Sequence, residues 1–400
     1  MNGNSYDLVI VGGGIGGSAL AKVMAERGAR VLVAERETQF KDRVRGEFLS
    51  PWGVSEAARL GIERHLRDTC ARELRYHDIY AGPAPMRRDL AATSLQQLPA
   101  LAFFHPQMQE VLLQAAQTAG AVIRRAARVR TVVPGANPTV AIETNGRVEE
   151  VGARLVIGAD GRVSEVRRWG GFTAKHDPDE MWMTGALLGH MEGITDLAFS
   201  MMITPTRGGV FLAPQGNGRF RAYYAYHRSA PYRLSGEKDL PLFIAESVKT
   251  GAAPEWYAGC SLEGPLATFP GADTWVEHPH RDGIALIGDA AGSSDPTWGQ
   301  GLSLTLRDVR VLRDALLGSE DWRTAADHYA TQRHQYYGAL HTVTGWITQL
   351  NFATGPQADS LRAKALPLLA EDPSRMPDHL ISGPDLPADD AVRLRYFGEQ

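Results

Sequence analysis

The sequence predicts an α/β fold in which a parallel sheet with flanking helices contains an inserted antiparallel sheet and is followed by C-terminal helices. Three observations predict it: a strand, a glycine-rich loop and a helix at the start, strands without intervening helices after position 181, and helical periodicity after position 300. Because 400 residues exceed the usual size of one hydrophobic core, a second folding unit is expected.

The first elements form a βαβ unit. Residues 6–11 are a continuous apolar strand, residues 15–27 a helix that Gly28 ends, and residues 30–35 the next strand. Parallel strands need a crossover connection such as this helix. The order therefore predicts a Rossmann-type nucleotide-binding unit.

The glycines between this strand and helix match the pattern G-x-G-x-x-G at Gly12, Gly14 and Gly17. The first glycine allows a tight turn, the second lets a pyrophosphate approach the backbone, and the third permits close packing of the helix. Glu35, at the end of the second strand, is placed to accept hydrogen bonds from a ribose. The predicted ligand is a dinucleotide, and this motif alone does not choose between NAD and FAD.

Caps and turn residues mark the middle elements. The sequence predicts a helix from Pro51 to Gly61 capped by Ser50, a helix over 107–119 stopped by Gly120, a hairpin at Asn145-Gly146, and a parallel-type strand over 155–157.

The inserted sheet is expected between about 181 and 230, where "WMTGALLGHM", "FSMMITP", "GGVFLAP" and "RFRAYYAYH" follow one another without a helix. The α/β pattern resumes with the strand that ends at Gly288. Helices are predicted over 300–317 and on to about 351, and the remaining residues form a looser helical segment interrupted by prolines.

Composition excludes several classes of function. A formal charge of -4 provides no basic field for nucleic acid, and no apolar run approaches the ~18 residues of a membrane span. The opening residues lack a signal-peptide pattern. Cys70 and Cys260 have no partner at disulfide or metal spacing. We therefore expect a cytoplasmic protein without nucleic-acid or membrane partners.

Two further motifs select FAD as the ligand. "VIGADG" at 156–161 resembles the DG motif of flavoprotein aromatic hydroxylases, and "GDAAGSSDPTWGQG" at 288–301 resembles their GD motif. Together with the glycine pattern, these motifs make residues 6–317 resemble the class A FAD-dependent monooxygenases, of which p-hydroxybenzoate hydroxylase is the type. Gly292 and Ser303 depart from that family, which has histidine and asparagine at these places.

The resemblance implies roles for individual residues. Asp289 would bind the ribityl chain, Gly301 and Leu302 would open a helix toward the flavin, and Arg45 in "RVRGEFLSPWG" would face the flavin. Either His105 or Gln107 would contact the ribityl chain or a phosphate. The predicted FAD contacts are Gly12, Gly14, Ile15, Gly17, Glu35, Arg36, Arg45, His105, Gln107, Asp160, Asp289, Gly299, Gly301 and Leu302.

The resemblance also implies a reaction. Reduced flavin would react with O2 to form a C4a-hydroperoxide, which transfers one oxygen atom to an aromatic or other activated small molecule. Since the chain carries one dinucleotide fingerprint, the reductant is either transiently bound NAD(P)H or a separate flavin reductase. Alternatives on the same scaffold are a flavin halogenase, whose W-x-W-x-I-P string is missing here, a prenyl-chain reductase, which "GEFLSP" would suit, and a flavin-binding protein without turnover.

The substrate is expected between the flavin and the inserted sheet. Alternation in "RFRAYYAYH" places Arg221 and Tyr223 on one face and Tyr224 on the other, and either face is a candidate pocket wall. Arg221 is the preferred substrate contact, because a guanidinium can bind a carboxylate through two hydrogen bonds. Pro296 and Trp298 are expected to complete the wall, so the predicted catalytic set is Arg45, Arg221, Pro296 and Trp298.

The domain division follows from these patterns. An FAD-binding domain is predicted over 1–72, 101–180 and 275–350, and a substrate-binding sheet domain over 73–100 and 181–274. Residues 351–400 form the C-terminal helical segment. His278-Pro279-His280 lacks further ligands at suitable spacing, so it is interpreted as surface and no metal site is predicted.

Overall fold

The structure is a computed structural model that describes residues 5–80 and 84–399. Residues 1–4, 81–83 and 400 of the predicted domain ranges lie outside the described residues. The first strands are β1 Ser5–Val11, β2 Val31–Ala34, β3 Phe48–Leu49, β4 Ala71–Leu74, β5 Tyr76–Tyr80, β6 Pro85–Asp89, β7 Ala100–Phe103, β8 Val122–Arg124, β9 Arg128–Val133, β10 Thr139–Thr144 and β11 Arg147–Gly158.

The later strands and the helices complete the element order. The strands are β12 Lys175–His176, β13 Met181–Gly189, β14 Ala198–Thr204, β15 Gly208–Gly216, β16 Arg219–His227, β17 Ser261–Leu262, β18 Ala267–Pro270, β19 Thr274–Trp275, β20 His280–Arg281, β21 Ile284–Leu286 and β22 Gly292–Ser293. The α-helices are α1 Ile15–Ala25, α2 Pro51–Arg59, α3 Glu63–Thr69, α4 Leu90–Thr93, α5 His105–Thr118, α6 Glu165–Trp169, α7 Leu240–Lys249, α8 Gly301–Leu317, α9 Trp322–Phe352, α10 Pro356–Glu371, α11 His379–Ser382 and α12 Asp390–Phe397.

The predicted βαβ unit is confirmed and lies at the centre of a sheet with strand order β20-β21-β11-β1-β2-β8. β1 pairs in parallel with β2 and β11, and β11 pairs in parallel with β21. The apolar run of β1 is buried on both faces, because Leu8 and Ile10 pack under α1, α5 and α8 while Val9 and Val11 pack on the opposite side. This burial explains the absence of polar alternation in the strand.

The predicted Asn145-Gly146 hairpin is also present. Both residues have positive φ, 52° and 76°, and the turn joins β10 to β11 with Thr144 opposite Arg147. Two positive φ angles in succession match the right-handed twist of the strands, which is why Asn-Gly is favoured there.

The inserted sheet has the order β17-β13-β16-β15-β14-β5-β6. β13 to β16 pair as predicted in antiparallel fashion, but β5 pairs in parallel with β14. Strands joined by tight turns must be antiparallel, whereas β5 reaches the sheet from an early, distant part of the chain. The sequence prediction of a wholly antiparallel sheet therefore needs this one correction.

The two faces of the inserted sheet have different partners. On the back face, Tyr224 and Tyr226 pack with Phe243 of α7 in a separate hydrophobic core. On the front face, Met183 and Phe211 pack in one cluster with Trp298 and residues of α9, α10 and α12. The front face is thus the one turned toward the rest of the chain. No helix within residues 5–80 and 84–399 has the length and apolar character needed to cross a membrane.

Candidate functional site

The glycine loop, residues 12–17, is packed so tightly that side chains are excluded at two positions. A Cβ built on Gly12 would lie 2.4 Å from the carbonyl oxygen of Ala159, and one built on Gly17 would lie 2.0 Å from the carbonyl oxygen of Gly12. At Gly14 the nearest atom to such a Cβ is Nε2 of Gln109, at 3.6 Å. Gly14 therefore has room inside the protein, and a glycine there leaves the backbone open to a ligand.

Helix α1 begins at this loop with free amide groups. Gly14 is its N-cap, and among the described residues no side chain caps the first turn. The first N–H groups of a helix carry a partial positive charge and bind anions such as a diphosphate. The loop and helix therefore form the cradle that a dinucleotide requires.

The carboxylate of Glu35 holds the glycine loop in place through hydrogen bonds. Its Oε2 accepts a hydrogen bond from the Gly13 amide at 2.7 Å and its Oε1 accepts one from the Glu37 amide at 2.8 Å, and the residue is buried. Each carboxylate oxygen can accept a second bond, so the predicted contact to a ribose remains geometrically open. The neighbouring Arg36 is exposed and lies 3.5 Å from Glu37.

Asp160 has local partners in the structure. Its Oδ1 accepts from the Ser164 hydroxyl at 2.6 Å, and its Oδ2 accepts from the amides of Glu165 and Val166 at 2.8 and 3.1 Å. Burial raises the pKa of this carboxyl. The DG motif therefore starts α6, and a direct contact of Asp160 with the cofactor stays a prediction.

Arg45 and Asp289 meet although they are distant in the sequence. Nη1 of Arg45 lies 3.4 Å from Oδ2 of Asp289, and both side chains are partly exposed. The carbonyl oxygen of Arg45 accepts a hydrogen bond from the Tyr223 hydroxyl at 2.6 Å, and the Gly288 amide donates to Asp308 at 2.8 Å. The arginine loop, residues 41–47, is thus held beside the GD loop, residues 288–301, and the cofactor contacts of Arg45 and Asp289 stay predictions.

The GD loop ends in a left-handed turn that leads into α8. Gly299 has φ 66°, a conformation that favours glycine, and Gln300 donates from Nε2 to the carbonyl oxygen of Trp298 at 2.6 Å. In the described part of the chain, no side chain caps the first turn of α8. Its amides are therefore available to negative charge, and Leu302 in this turn approaches Gly46 of the arginine loop.

A buried charge network joins the arginine loop to the inserted sheet. Arg221 donates from Nε to Oε2 of Glu47 at 2.9 Å and from Nη2 to Oδ2 of Asp42 at 2.8 Å. Gln215 and the His105 amide also donate to Glu47, at 3.0 and 2.9 Å. The side chains of Arg221 and Glu47 are fully buried, and burial raises the pKa of Glu47 while Arg221 opposes that rise.

This network changes the interpretation of Arg221. The sequence prediction had Arg221 bind a substrate carboxylate through two hydrogen bonds, whereas Glu47 and Asp42 occupy Nε and Nη2. Within the described residues, Nη1 has no hydrogen-bond partner. Glu47 and Asp42 were not predicted from the sequence. The sequence signal for this network is the string Arg45-Gly46-Glu47. It indicates a contact with the buried Arg221 only when the fold is known.

The two alternatives on α5, His105 and Gln107, have different surroundings, and which of them contacts the cofactor stays open. His105 lies against the arginine loop, with Nδ1 2.9 Å from the carbonyl oxygen of Gly46, and burial lowers the pKa of its imidazole to about 4. Gln107 is exposed and contacts the carbonyl oxygen of Thr69 at 3.4 Å. Gln109, which the sequence analysis did not single out, faces Gly14. Its position one helical turn after His105 was the available signal.

Pro296 and Trp298 form a short 3-10 helix within the GD loop. Trp298 is buried, donates from Nε1 to Thr348 of α9 at 2.8 Å and packs near Phe352. It therefore joins the front face of the inserted sheet to the C-terminal helices, and its role as a pocket wall stays a prediction.

Two carboxyl groups lie together at this part of the GD loop: Asp273, which is buried, and Asp295, which is within the loop and partly buried. Asp273 accepts from the amide of Asp295 and, at 3.0 Å, from the hydroxyl of Tyr337. Burial raises the pKa of Asp273 to about 6 and that of Asp295 to about 7. Asp295 immediately precedes Pro296, so a group that titrates near neutral pH lies at the base of the loop.

The fold and the site define a dinucleotide-binding α/β oxidoreductase with an inserted sheet. Residues 5–342 match the family described as FAD binding domain, and the chain belongs to that family. FAD is therefore its cofactor, as the motifs predicted.

Named relatives of this chain are enzymes. It is 28% identical to the rifampicin monooxygenase of Streptomyces venezuelae, over 88% of this chain and 73% of that protein. It is 27% identical to digeranylgeranylglycerophospholipid reductase 1 of Methanopyrus kandleri, over 76% of this chain and 79% of that protein. The fold is that of p-nitrophenol 4-monooxygenase PnpA from Pseudomonas putida DLL-E4, with a TM-score of 0.78, 18% identity, and coverage of 94% of this chain and 97% of that one. The predicted class, a flavoprotein monooxygenase, is confirmed.

Proposed function

We propose that this enzyme transfers one oxygen atom of O2 to an aromatic or similarly activated small molecule. The observation that carries the proposal is the meeting of Arg45 with Asp289 beside an uncapped helix α8, at the place where the motifs predict the flavin. Bound and reduced FAD would supply the activation of O2, and the protein would hold it and keep water away from the reacting atoms.

The chain offers separate groups for the parts of FAD. The amides at the start of α1 would hold the diphosphate, Glu35 would accept from the ribose, and Asp289 would accept from the ribityl hydroxyls. The positive end of α8 and the guanidinium of Arg45 would stabilise negative charge on the reduced ring system. Each of these groups keeps hydrogen-bonding capacity that the protein itself does not use.

An aromatic substrate is supported by the side chains that border the GD loop. A Cβ built on Gly299 would lie 3.4 Å from Phe48, and the ring of Phe48 lies 4.5 Å from that of Phe199, which is followed by Phe211 on the front face. A row of rings provides planar apolar surface for stacking. Tyr223 and Arg221 are polar residues on the same face of β16 as these rings, and Nη1 of Arg221 has no hydrogen-bond partner among the described residues.

The buried network gives Arg221 a positioning role in this proposal. Because Glu47 and Asp42 fix the guanidinium, Arg221 ties the arginine loop to the inserted sheet and can still donate through Nη1, which has two N–H groups. The Tyr223 hydroxyl donates a hydrogen bond to the carbonyl oxygen of Arg45 and so keeps this residue beside Asp289.

A second candidate function is reduction of a prenyl-chain double bond, which the relationship to an archaeal lipid reductase favours. That reaction consumes reductant without O2, whereas a monooxygenase consumes one O2 for each NAD(P)H. For either function we propose NAD(P)H as the reductant, delivered by transient binding or through a separate reductase.

The test is a screen of aromatic and prenyl compounds with the purified protein, in which NAD(P)H oxidation, O2 uptake and transfer of 18O from 18O2 are measured together. We expect a hit to accelerate NAD(P)H oxidation and to carry one 18O atom in its product. Faster NAD(P)H oxidation without O2 uptake would favour the reductase. A protein that shows no turnover with NADH, with NADPH or with an added flavin reductase would contradict both functions.

Trp298→Ala tests the proposed pocket wall. We expect this variant to bind FAD and oxidise NAD(P)H but to yield more hydrogen peroxide per product, because water then reaches the reacting oxygen. Trp346→Ala is the matched control on α9. An unchanged ratio of product to peroxide in Trp298→Ala would show that Trp298 only joins the GD loop to α9.

A further inference from the structure

The two histidines that flank Pro279 meet a carboxylate of α9. Nε2 of His278 lies 3.1 Å and Nδ1 of His280 lies 2.7 Å from Oδ1 of Asp327. From the sequence this pair is predicted to be surface without further ligands. Of the two histidines, His278 is exposed and His280 is buried. The third group, the carboxylate of Asp327, comes from α9.

We propose that His278, His280 and Asp327 bind a divalent transition-metal ion such as Zn²⁺. The three ligand atoms lie within 4.8 Å of one another. Metal bonds of about 2.1 Å at tetrahedral angles place neighbouring ligand atoms about 3.4 Å apart. The present separations, 3.1 and 2.7 Å, are those of hydrogen bonds, so small outward shifts of the exposed His278 and Asp327 side chains would admit the ion. Two imidazoles and one carboxylate form a donor set that suits zinc and related ions rather than calcium or magnesium.

The exposure of the three groups fits an ion that enters from solvent. The side chains of His278 and Asp327 are 52% and 58% exposed, whereas that of His280 is 4% exposed. The buried ring provides a fixed anchor, and the two outer groups leave room for water molecules to complete the coordination.

A metal here would join the edge of the nucleotide-binding sheet to the long helix. His280 begins β20, which pairs with β21, and β21 leads directly to Gly288 and Asp289 of the GD loop. Asp327 lies near the start of α9. Because the unfolded chain lacks a preformed site, binding should stabilise the folded protein.

The chain also contains a competing set of possible ligands: Asp177, Asp273 and His341. There the two oxygens of Asp273 accept from the Asp295 amide and from Tyr337, and Asp177 is bonded to His341. Donors outside the second set occupy both oxygens of Asp273, whereas His278, His280 and Asp327 use their ligand atoms only for hydrogen bonds to one another. We therefore assign the ion to the first set, and the second set provides a control.

The experiment is a calorimetric titration of FAD-loaded, chelator-treated protein with Zn²⁺. We expect one strong site, and affinity at least tenfold weaker in His278→Ala and Asp327→Asn, whose positions are exposed enough for the fold to persist. His328→Ala and His341→Ala should bind as the wild type does. His328 is exposed beside Asp327 and contacts Gln332 instead.

Thermal unfolding gives a second readout on the same proteins. Zn²⁺ should raise the Tm of the wild type and of His341→Ala but leave that of Asp327→Asn unchanged. The proposal is overturned if the wild type binds no Zn²⁺, if Asp327→Asn binds it as tightly as the wild type, or if His341→Ala is the variant that loses it.

Discussion

The glycine loop and the buried charge network are both parts of the candidate site, and they are built from different materials. The glycine loop consists of backbone packed on backbone, with Gly17 against Gly12 and Gly12 against Ala159. The network consists of charged side chains, with Arg221 between Glu47 and Asp42. The glycine loop can approach a ligand because its glycines have no side chains. The charge network is stable because each buried charge has a partner.

This difference determines how each region fails. A methyl group added to the glycine loop displaces either the neighbouring backbone or the ligand. A lost charge in the network acts by leaving its partner buried and unpaired, which costs far more than the net value of the pair. Single substitutions distinguish these two kinds of damage.

The largest effect is expected from Glu47→Gln. Arg221 would keep only Asp42 as a charged partner in a fully buried position, so the free energy of unfolding should fall by about 3 kcal/mol, measured with denaturant. Glu26→Gln, in an exposed pair with Lys22, is the control and should cost under about 0.5 kcal/mol. Equal losses in the two variants would contradict the importance given to burial.

A smaller effect is expected at the GD loop. Asp289→Ala should weaken FAD binding by about 1.5 to 3 kcal/mol, the value of a hydrogen bond to a charged group, while the stability of the FAD-free protein changes little because its pair with Arg45 is partly exposed. Fluorescence titration with FAD measures the affinity. Asp289→Asn, which keeps an acceptor without the charge, should fall between; an affinity equal to that of the wild type in both variants would remove Asp289 from the site.

A third effect appears in the pH dependence of stability. Below pH 4 Asp295 is protonated in both the folded and unfolded states. Because burial raises its folded pKa to about 7, the unfolded chain releases this proton first as the pH rises, so stability falls between about pH 4 and 7. Asp295→Asn cannot ionise, and its unfolding free energy should fall less than that of the wild type across this range. Parallel profiles for the two proteins would contradict the shifted pKa.

The two regions also differed in what the sequence could predict. The glycine loop, Glu35 and the Asn145-Gly146 hairpin depend on local backbone geometry, which fixed spacings record directly. The network joins Asp42 and Glu47 to Arg221, far along the chain, and no spacing encodes such a contact. The same limit applies to Asp327, which completes the histidine pair only because α9 packs beside β20.

The domain arrangement shows the same contrast. The parallel sheet followed from its apolar strands and crossover helix, while the parallel pairing of β5 with β14 did not, because those strands are not joined by a turn. Trp298 was recognised as part of the GD motif, but its partner Thr348 on α9 could be found only in the folded chain.

The claim that FAD lies on the glycine loop is tested most directly by Gly14→Ala. The added Cβ has room in the FAD-free protein, since its nearest neighbour is 3.6 Å away, whereas in Gly17→Ala it would meet a carbonyl oxygen. We predict that Gly14→Ala keeps the Tm of the FAD-free wild type but binds FAD at least about tenfold more weakly, because the methyl group occupies the space of the diphosphate. An unchanged FAD affinity in Gly14→Ala would contradict this placement of the cofactor.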